Sequence, residues 1–145
     1  MVKSIFINAC LLAVVLVSGC ASVPMASPEA DAVAKTFRGG AEQANLYIYR
    51  NESFGAAVKM SVFLDGTFVG DTAAKTYIFK QISPGNHVIT SKAENNASLS
   101  IDAIAGKNYF VWQEVKLGFV SARSDLKLVD EAAGQAGVQE CQLIQ

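Results

Sequence analysis

One histidine and three cysteines are the whole supply of imidazole and thiol in this chain of 145 residues, and that scarcity excludes much chemistry. A four-ligand zinc site cannot be completed from one His and one free thiol without carboxylates drawn from distant parts of the chain. A Cys/His hydrolase would have to bring Cys141 to His87. His87 follows a turn into a strand, and Cys141 has no basic neighbour to lower its pKa. The sequence also lacks a phosphate loop, a dinucleotide fingerprint and a Gly-x-Ser-x-Gly elbow. Its carboxylates Asp71, Glu94, Asp102 and Glu114 fall on different strands and loops, so they read as solvated strand faces rather than a pair for glycoside cleavage. Formal net charge is −1, with no basic run and no Lys/Arg stripe interleaved with aromatics, which excludes nucleic acid as a partner. The expectation is a protein that is not an enzyme and has no metal and no cofactor.

There is a single long apolar run, Ile5 to Val17, preceded by Lys3 and followed by Ser18-Gly19-Cys20. It falls short of the ~20 residues needed to cross a bilayer core, so it reads as a secretory leader rather than a retained span. Small side chains at Ser18 and Gly19 let an extended backbone enter a peptidase cleft, and Cys20 is the nucleophile suited to thioether attachment of a diacylglycerol. Val17-Ser18-Gly19-Cys20 resembles the bacterial lipobox. That resemblance implies a signal peptide over residues 1–19, a mature chain starting at Cys20 with lipid on its sulfur, and the membrane as its partner through that lipid. Ala21 in place of Asp implies sorting to the outer membrane, on the periplasmic side. Each buried methylene contributes about 0.8 kcal/mol, so two or more acyl chains make attachment effectively permanent. An ordinary leader cut near Ala21 is the competing reading. With Cys10 removed and Cys20 acylated, Cys141 is the one thiol left, no intramolecular disulfide can form, and Cys141 itself reads as a small buried apolar residue.

About 125 residues then remain, enough for one domain. Residues 20–44 are rich in Ala, Ser, Pro, Glu and Gly and read as a lipidated N-terminus and flexible tether. Within them Ser27-Pro28-Glu29 starts a short or merely nascent helix that Gly39-Gly40 would stop near Arg38, with Val33 and Phe37 on one face. From Asn45 on, the apolar period becomes two. Strands are predicted over 45–50, 58–64, 67–70, 76–82, 87–93, 98–104, 109–116 and from Phe119 or Val120 to Val129. Asp65-Gly66 is a two-residue hairpin signal that calls for positive φ at both positions. Ser83-Pro84-Gly85, Asn95-Asn96 and Ala105-Gly106-Lys107 mark further turns. After Val129, acids at Asp130 and Glu131 start a helical turn or two, weakened by Gly134 and Gly137, before a short extended piece over 139–144. The fold class is all-β: an antiparallel sandwich of seven to eight short strands over 45–145, with a short helical segment near the C-terminus.

Three motifs carry a family resemblance: Val62 to Gly70 around the Asp-Gly turn, Ile82 to Ile89 around Pro84-Gly85, and Ala105 to Phe110. They are similar to the PEGA-type, immunoglobulin-like β-sandwich, and more closely to a family of small bacterial lipoproteins known as a domain of unknown function. The resemblance implies a fold and carries over no catalytic residue.

Aromatic residues remain, and two readings of them stand side by side. The Tyr109 strand is apolar on both faces, as a central strand would be if another sheet covered one side and the tether or C-terminal segment the other. Alternatively Tyr47 and Tyr49 with Arg50 form an exposed patch for protein or glycan contact. The expected function is a membrane-anchored, non-enzymatic binding or scaffolding module, with an envelope protein or the cell wall as partner. A thiol-dependent enzyme or redox-sensitive accessory using Cys141 is the reading from another class.

Overall fold

The computed structural model describes residues 20–145; the leader read over residues 1–19 lies outside them. Two helices and nine strands follow one another as α1 (Pro28–Ala34), β1 (Ala44–Arg50), β2 (Met60–Leu64), β3 (Thr67–Thr72), β4 (Thr76–Ile82), β5 (Gly85–Lys92), β6 (Asn96–Ala103), β7 (Asn108–Leu117), β8 (Ala122–Val129), α2 (Glu131–Gln139) and β9 (Gln142–Leu143). They build a five-stranded sheet in the order β8-β7-β1-β4-β9 and a four-stranded sheet in the order β3-β2-β5-β6. The all-β sandwich with a helix near its C-terminus is therefore the observed architecture.

Local chemistry explains the sharpest turn. Asp65 and Gly66 take φ of 50° and 79°, the two positive values that let a two-residue loop follow the twist of β2 and β3. Val62 pairs with Gly70 but Phe63 with Phe68, so Val69 is an extra residue and the hairpin carries a bulge.

Pairing departs from the antiparallel expectation at two places: β1 lies parallel to β7, and β4 parallel to β9. The chain leaves the edge strand β6 of one sheet and enters the other through a turn at Gly106, so β7 arrives beside β1 running the same way. Parallel neighbours need a long connection, which the whole four-stranded sheet supplies. A second departure concerns Phe119 and Val120, expected to begin a strand: β8 starts only at Ala122, and the two side chains stand in solvent at 98% and 90% exposure.

The five-stranded sheet is apolar on both faces because both are covered. Leu46, Ile48, Val62, Ile78, Ile89 and Val111 fill the space between the sheets. On the outer face Tyr47, Tyr49, Tyr77 and Phe110 lie beneath Ala34 of α1 and Val138 of α2. Every residue of β1 is consequently buried, and each large apolar side chain so placed contributes about 1.5–3 kcal/mol. Gly134 and Gly137, which weaken α2 as a helix by about 1 kcal/mol each, are what allow it to lie here: a β-carbon would sit 2.1 Å from Phe110 Cγ at the first and 2.2 Å from Tyr49 Cε2 at the second. The helix accordingly runs for nine residues, longer than the turn or two expected.

The expected tether packs on the body instead of hanging free. Met25 bridges to Ile144, and the Ala26 N–H donates to Leu143 O at 2.9 Å. Ser27 caps α1 by accepting from the Ala30 N–H at 3.1 Å, and the helix ends at Ala34, before the paired glycines. Asp31 then fastens it: its carboxylate accepts from Tyr77 Oη at 2.9 Å, the Leu143 N–H at 2.9 Å and Lys35 Nζ at 2.8 Å. Burial opposes that charge, but those hydrogen bonds outweigh it and hold Asp31 below the usual carboxylate range. Phe37 turns inward with φ of 54° and meets the Tyr47 ring edge-on at 5.4 Å, whereas Val33 is 71% exposed.

Candidate functional site

At one end of the sandwich the β1–β2 loop, the β5–β6 turn and the β7–β8 turn come together, and the chain start described here joins them. Cys20 is exposed. The N–H of the next residue, Ala21, donates to Ala56 O in the β1–β2 loop at 2.9 Å. That loop is held from inside by Arg50, whose guanidinium donates from one terminal nitrogen to Val58 O at 2.7 Å and from the other to Gly55 O at 2.5 Å and Phe54 O at 3.5 Å. Arg50 is fully buried. Desolvation lowers its pKa, while nearby Glu52 favours the charge. Glu52 in turn is raised by burial, with the Val115 N–H at 3.4 Å acting the other way.

The proposed aromatic patch does not form a surface. Tyr47, Tyr49 and Arg50 are 1%, 4% and 0% exposed, because β1 is central in its sheet, the two helices roof the tyrosines, and the β1–β2 loop closes over Arg50. Tyr47 Oη donates to Ala34 O at 2.8 Å, stacks on Phe110 at 5.0 Å, and burial pushes its pKa up to about 12. Tyr49 is likewise raised to about 12 by burial, and lies under Gly137. Of the three residues, two hold the helices in place and the third anchors the loop beside Cys20.

Cys141 is 2% exposed, its sulfur 3.5 Å from Arg50 O, and burial pushes its thiol up to about 12. A thiol so placed carries almost no thiolate at neutral pH. His87 stands at the opposite end of the sandwich. Its Nδ1 lies 2.6 Å from Asp65 Oδ2 and its Nε2 2.8 Å from Ser83 O, so both ring nitrogens face acceptors. The hydrogen bond that the His87 ring donates to Asp65 raises His87 and lowers Asp65. The structure thus does not bring Cys141 and His87 together.

The four dispersed carboxylates stay apart, and three of them are engaged by separate partners. Asp71 accepts from Ser61 Oγ at 2.7 Å, and Glu114 pairs with Lys116 and Lys127 at 2.7 and 2.5 Å. Asp102 is exposed on β6. Glu94 reaches across to the β7–β8 turn and accepts from the N–H groups of Phe119, Val120 and Ser121 at 2.8, 2.9 and 2.7 Å. Among the described residues, no group of three His, Cys, Asp or Glu side chains could hold a metal ion, and no helix is long and apolar enough to cross a membrane.

Two features escaped the sequence reading. One is a buried polar chain between the sheets: Thr72 Oγ1 donates to Gln113 Oε1 at 2.5 Å, Gln113 Nε2 to Ser91 Oγ at 2.6 Å, and Ser124 Oγ to Ser91 Oγ at 2.7 Å. Its signal is Gln113 at an inward position between Val111 and Val115, where polar groups survive only if paired. The other is the exposed turn Leu117 to Val120, whose apolar letters imitate a strand. It lies across a shallow groove of about 350 Å³ from Phe54 and Val58.

A model of the family described as "Protein of unknown function (DUF2846)" matches residues 40–125, from just before β1 into β8. An uncharacterized protein of Haemophilus influenzae is 38% identical over 143 residues, which cover 96% of this chain and 84% of that protein. With that family match spanning most of both sheets and that degree of identity nearly end to end, the chain belongs to the DUF2846 family.

Proposed function

We propose that this chain is a lipoprotein of the bacterial envelope, tied by acyl chains on Cys20 to the periplasmic side of the outer membrane, and that it serves as a non-enzymatic binding or scaffolding module for an envelope protein or the cell wall. The observation that carries the reading is Val17-Ser18-Gly19-Cys20 at the end of an apolar run, with Cys20 exposed. The three turn motifs of the PEGA-like resemblance belong to the same reading, as does Ala21 at the position that directs sorting.

Support for a role without catalysis comes from the side chains that chemistry would need. The thiol of Cys141 is enclosed and bonded to a backbone carbonyl, and its imidazole counterpart is engaged at the far end. In the folded, acylated protein Cys141 is expected to resist iodoacetamide until denaturant is added; rapid alkylation of the native state would turn the reading toward a thiol-dependent activity. Anchoring is tested by feeding cells labelled palmitate. Label is expected in the wild-type band and lost in Cys20→Ala, and an unlabelled wild-type band would overturn the proposal.

A further inference from the structure

The end of the sandwich that carries Cys20 has an apolar surface that the fold leaves open. Phe54 is 52% exposed, Leu117 80%, Phe119 98% and Val120 90%. All four line one groove, and Gly55 and Val58 of the Phe54 loop line it too. Ala56, two residues beyond Phe54, accepts from the Ala21 N–H. Two residues of chain span at most about 7 Å, so the Phe54 loop and the backbone next to Cys20 share one end of the sandwich. The other exposed large apolar side chains among the described residues, Met25, Val33, Phe68, Val88, Ile104 and Leu128, lie on different segments of the chain.

We infer that this end of the sandwich rests on the lipid bilayer, with Phe54, Leu117, Phe119 and Val120 entering the boundary between headgroups and acyl chains. The inference rests on the acylation proposed at Cys20 for what brings this end to the membrane. A bilayer is the occupant the geometry favours over a second protein, since acyl chains on Cys20 would hold it permanently within reach of these loops. The turn is also built for such a place. A backbone N–H taken out of water without a partner costs free energy, and here the amides of Phe119, Val120 and Ser121 are already bound to Glu94. Three cations stand next to the apolar residues along the chain, Lys59 after Val58, Lys116 before Leu117 and Arg123 after Ala122, of which Lys116 is paired with Glu114 at 2.7 Å, and the Glu94 carboxylate is the anion at the turn itself. Apolar tips flanked by Lys59 and Arg123 suit an interface with anionic headgroups. Docking there would fix the orientation of the sandwich, with the Asp65-Gly66 end pointing away; ten residues of β7 alone separate the two ends by about 30 Å.

The test uses the protein purified from membranes and reconstituted in vesicles of phosphatidylethanolamine and phosphatidylglycerol, with and without bromine on the acyl chains. Tryptophan is introduced as Phe119→Trp at this end and as Ile104→Trp at the other, each read against the wild type, whose Trp112 supplies the background. Both sites are exposed, so neither replacement disturbs packing. Brominated lipid is expected to reduce the added emission of the first variant at least twofold and to leave that of the second unchanged. Equal, negligible quenching of both would overturn the inference. So would emission from residue 119 that shifts to the blue without quenching, the sign of a protein surface covering it. Mass spectrometry of the N-terminal peptide from the same sample separates the two proposals: acylated protein with a water-exposed residue 119 refutes the docking alone, whereas an unmodified Cys20 refutes the anchor and leaves the quenching to decide the docking.

Discussion

At one end of the sandwich, Asp65 and Ser83 hold His87 between two polar turns in contact with water; at the other, Arg50 reaches from the interior to three carbonyls of a loop whose outer side chains are apolar. The first end is fastened by a pair formed between exposed Asp65 and partly covered His87, and varies with pH. The second is fastened from within by a cation that cannot lose its proton, and its surface carries Phe54, Leu117, Phe119 and Val120. The difference shows how one two-sheet body can present an apolar tip and a hydrated tip. Turn chemistry decides each tip, while the strands between them are continuous.

The comparison is broken most severely at Arg50. Arg50→Met keeps the volume but strands the carbonyls of Gly55 and Val58, and should lower unfolding free energy by about 2–3 kcal/mol in urea titrations. Hydrogen exchange at Ala21 should accelerate with it, while the amides of the Asp65-Gly66 hairpin stay protected to the extent global stability allows. At the opposite end Gly66→Val imposes only a conformational cost, since nothing lies within 4 Å of where its β-carbon would be. A positive φ of 79° carried by a β-branched residue should cost about 1–2 kcal/mol in the same titration and leave exchange at Ala21 as it was.

A smaller effect distinguishes the ends by pH. His87 gains its partner on folding, so its contribution is complete below its ordinary value of 6.5 and is lost as pH rises through its raised folded value. Asp65 works in the other sense: its contribution is complete above 3.8 and is lost as pH falls through its lowered folded value. The Asp65–His87 end is therefore firmest between those two pH values, and melting temperatures of the wild type minus those of His87→Asn should peak there. The smallest effect belongs to Glu94→Gln. Water can replace the exposed carboxylate, so the melting temperature should not move measurably, whereas amide exchange at Phe119, Val120 and Ser121 should quicken.

Legibility in the sequence followed the range of the interactions. The Asp65-Gly66 turn, the alternating strands around it and the two-sheet class rest on neighbours a few residues apart, and all could be read directly. A central strand covered by a sheet and by terminal segments was also among the readings, and β1 and β7 show it. What the pattern could not carry was contact between distant segments. The parallel pairing of β1 with β7 joins residues that lie over 60 positions apart by sequence number. Tyr47, Tyr49 and Arg50 look like a surface patch until two short helices are laid over the tyrosines and the β1–β2 loop over the arginine, and Gly134 and Gly137 look like helix breakers until the rings beneath them are seen. Phe119 and Val120 have the composition of a strand, yet they stand in a turn whose amides bond to Glu94 of another turn.

Everything that gives the Cys20 end its meaning depends on lipid at that residue. The most direct measurement is the intact mass of the N-terminal peptide of the protein extracted from the cell envelope. The account predicts a chain that begins at Cys20 and is heavier by a diacylglyceryl group and further acyl mass. A chain that begins elsewhere, or an unmodified Cys20 recovered from the soluble fraction, would contradict it.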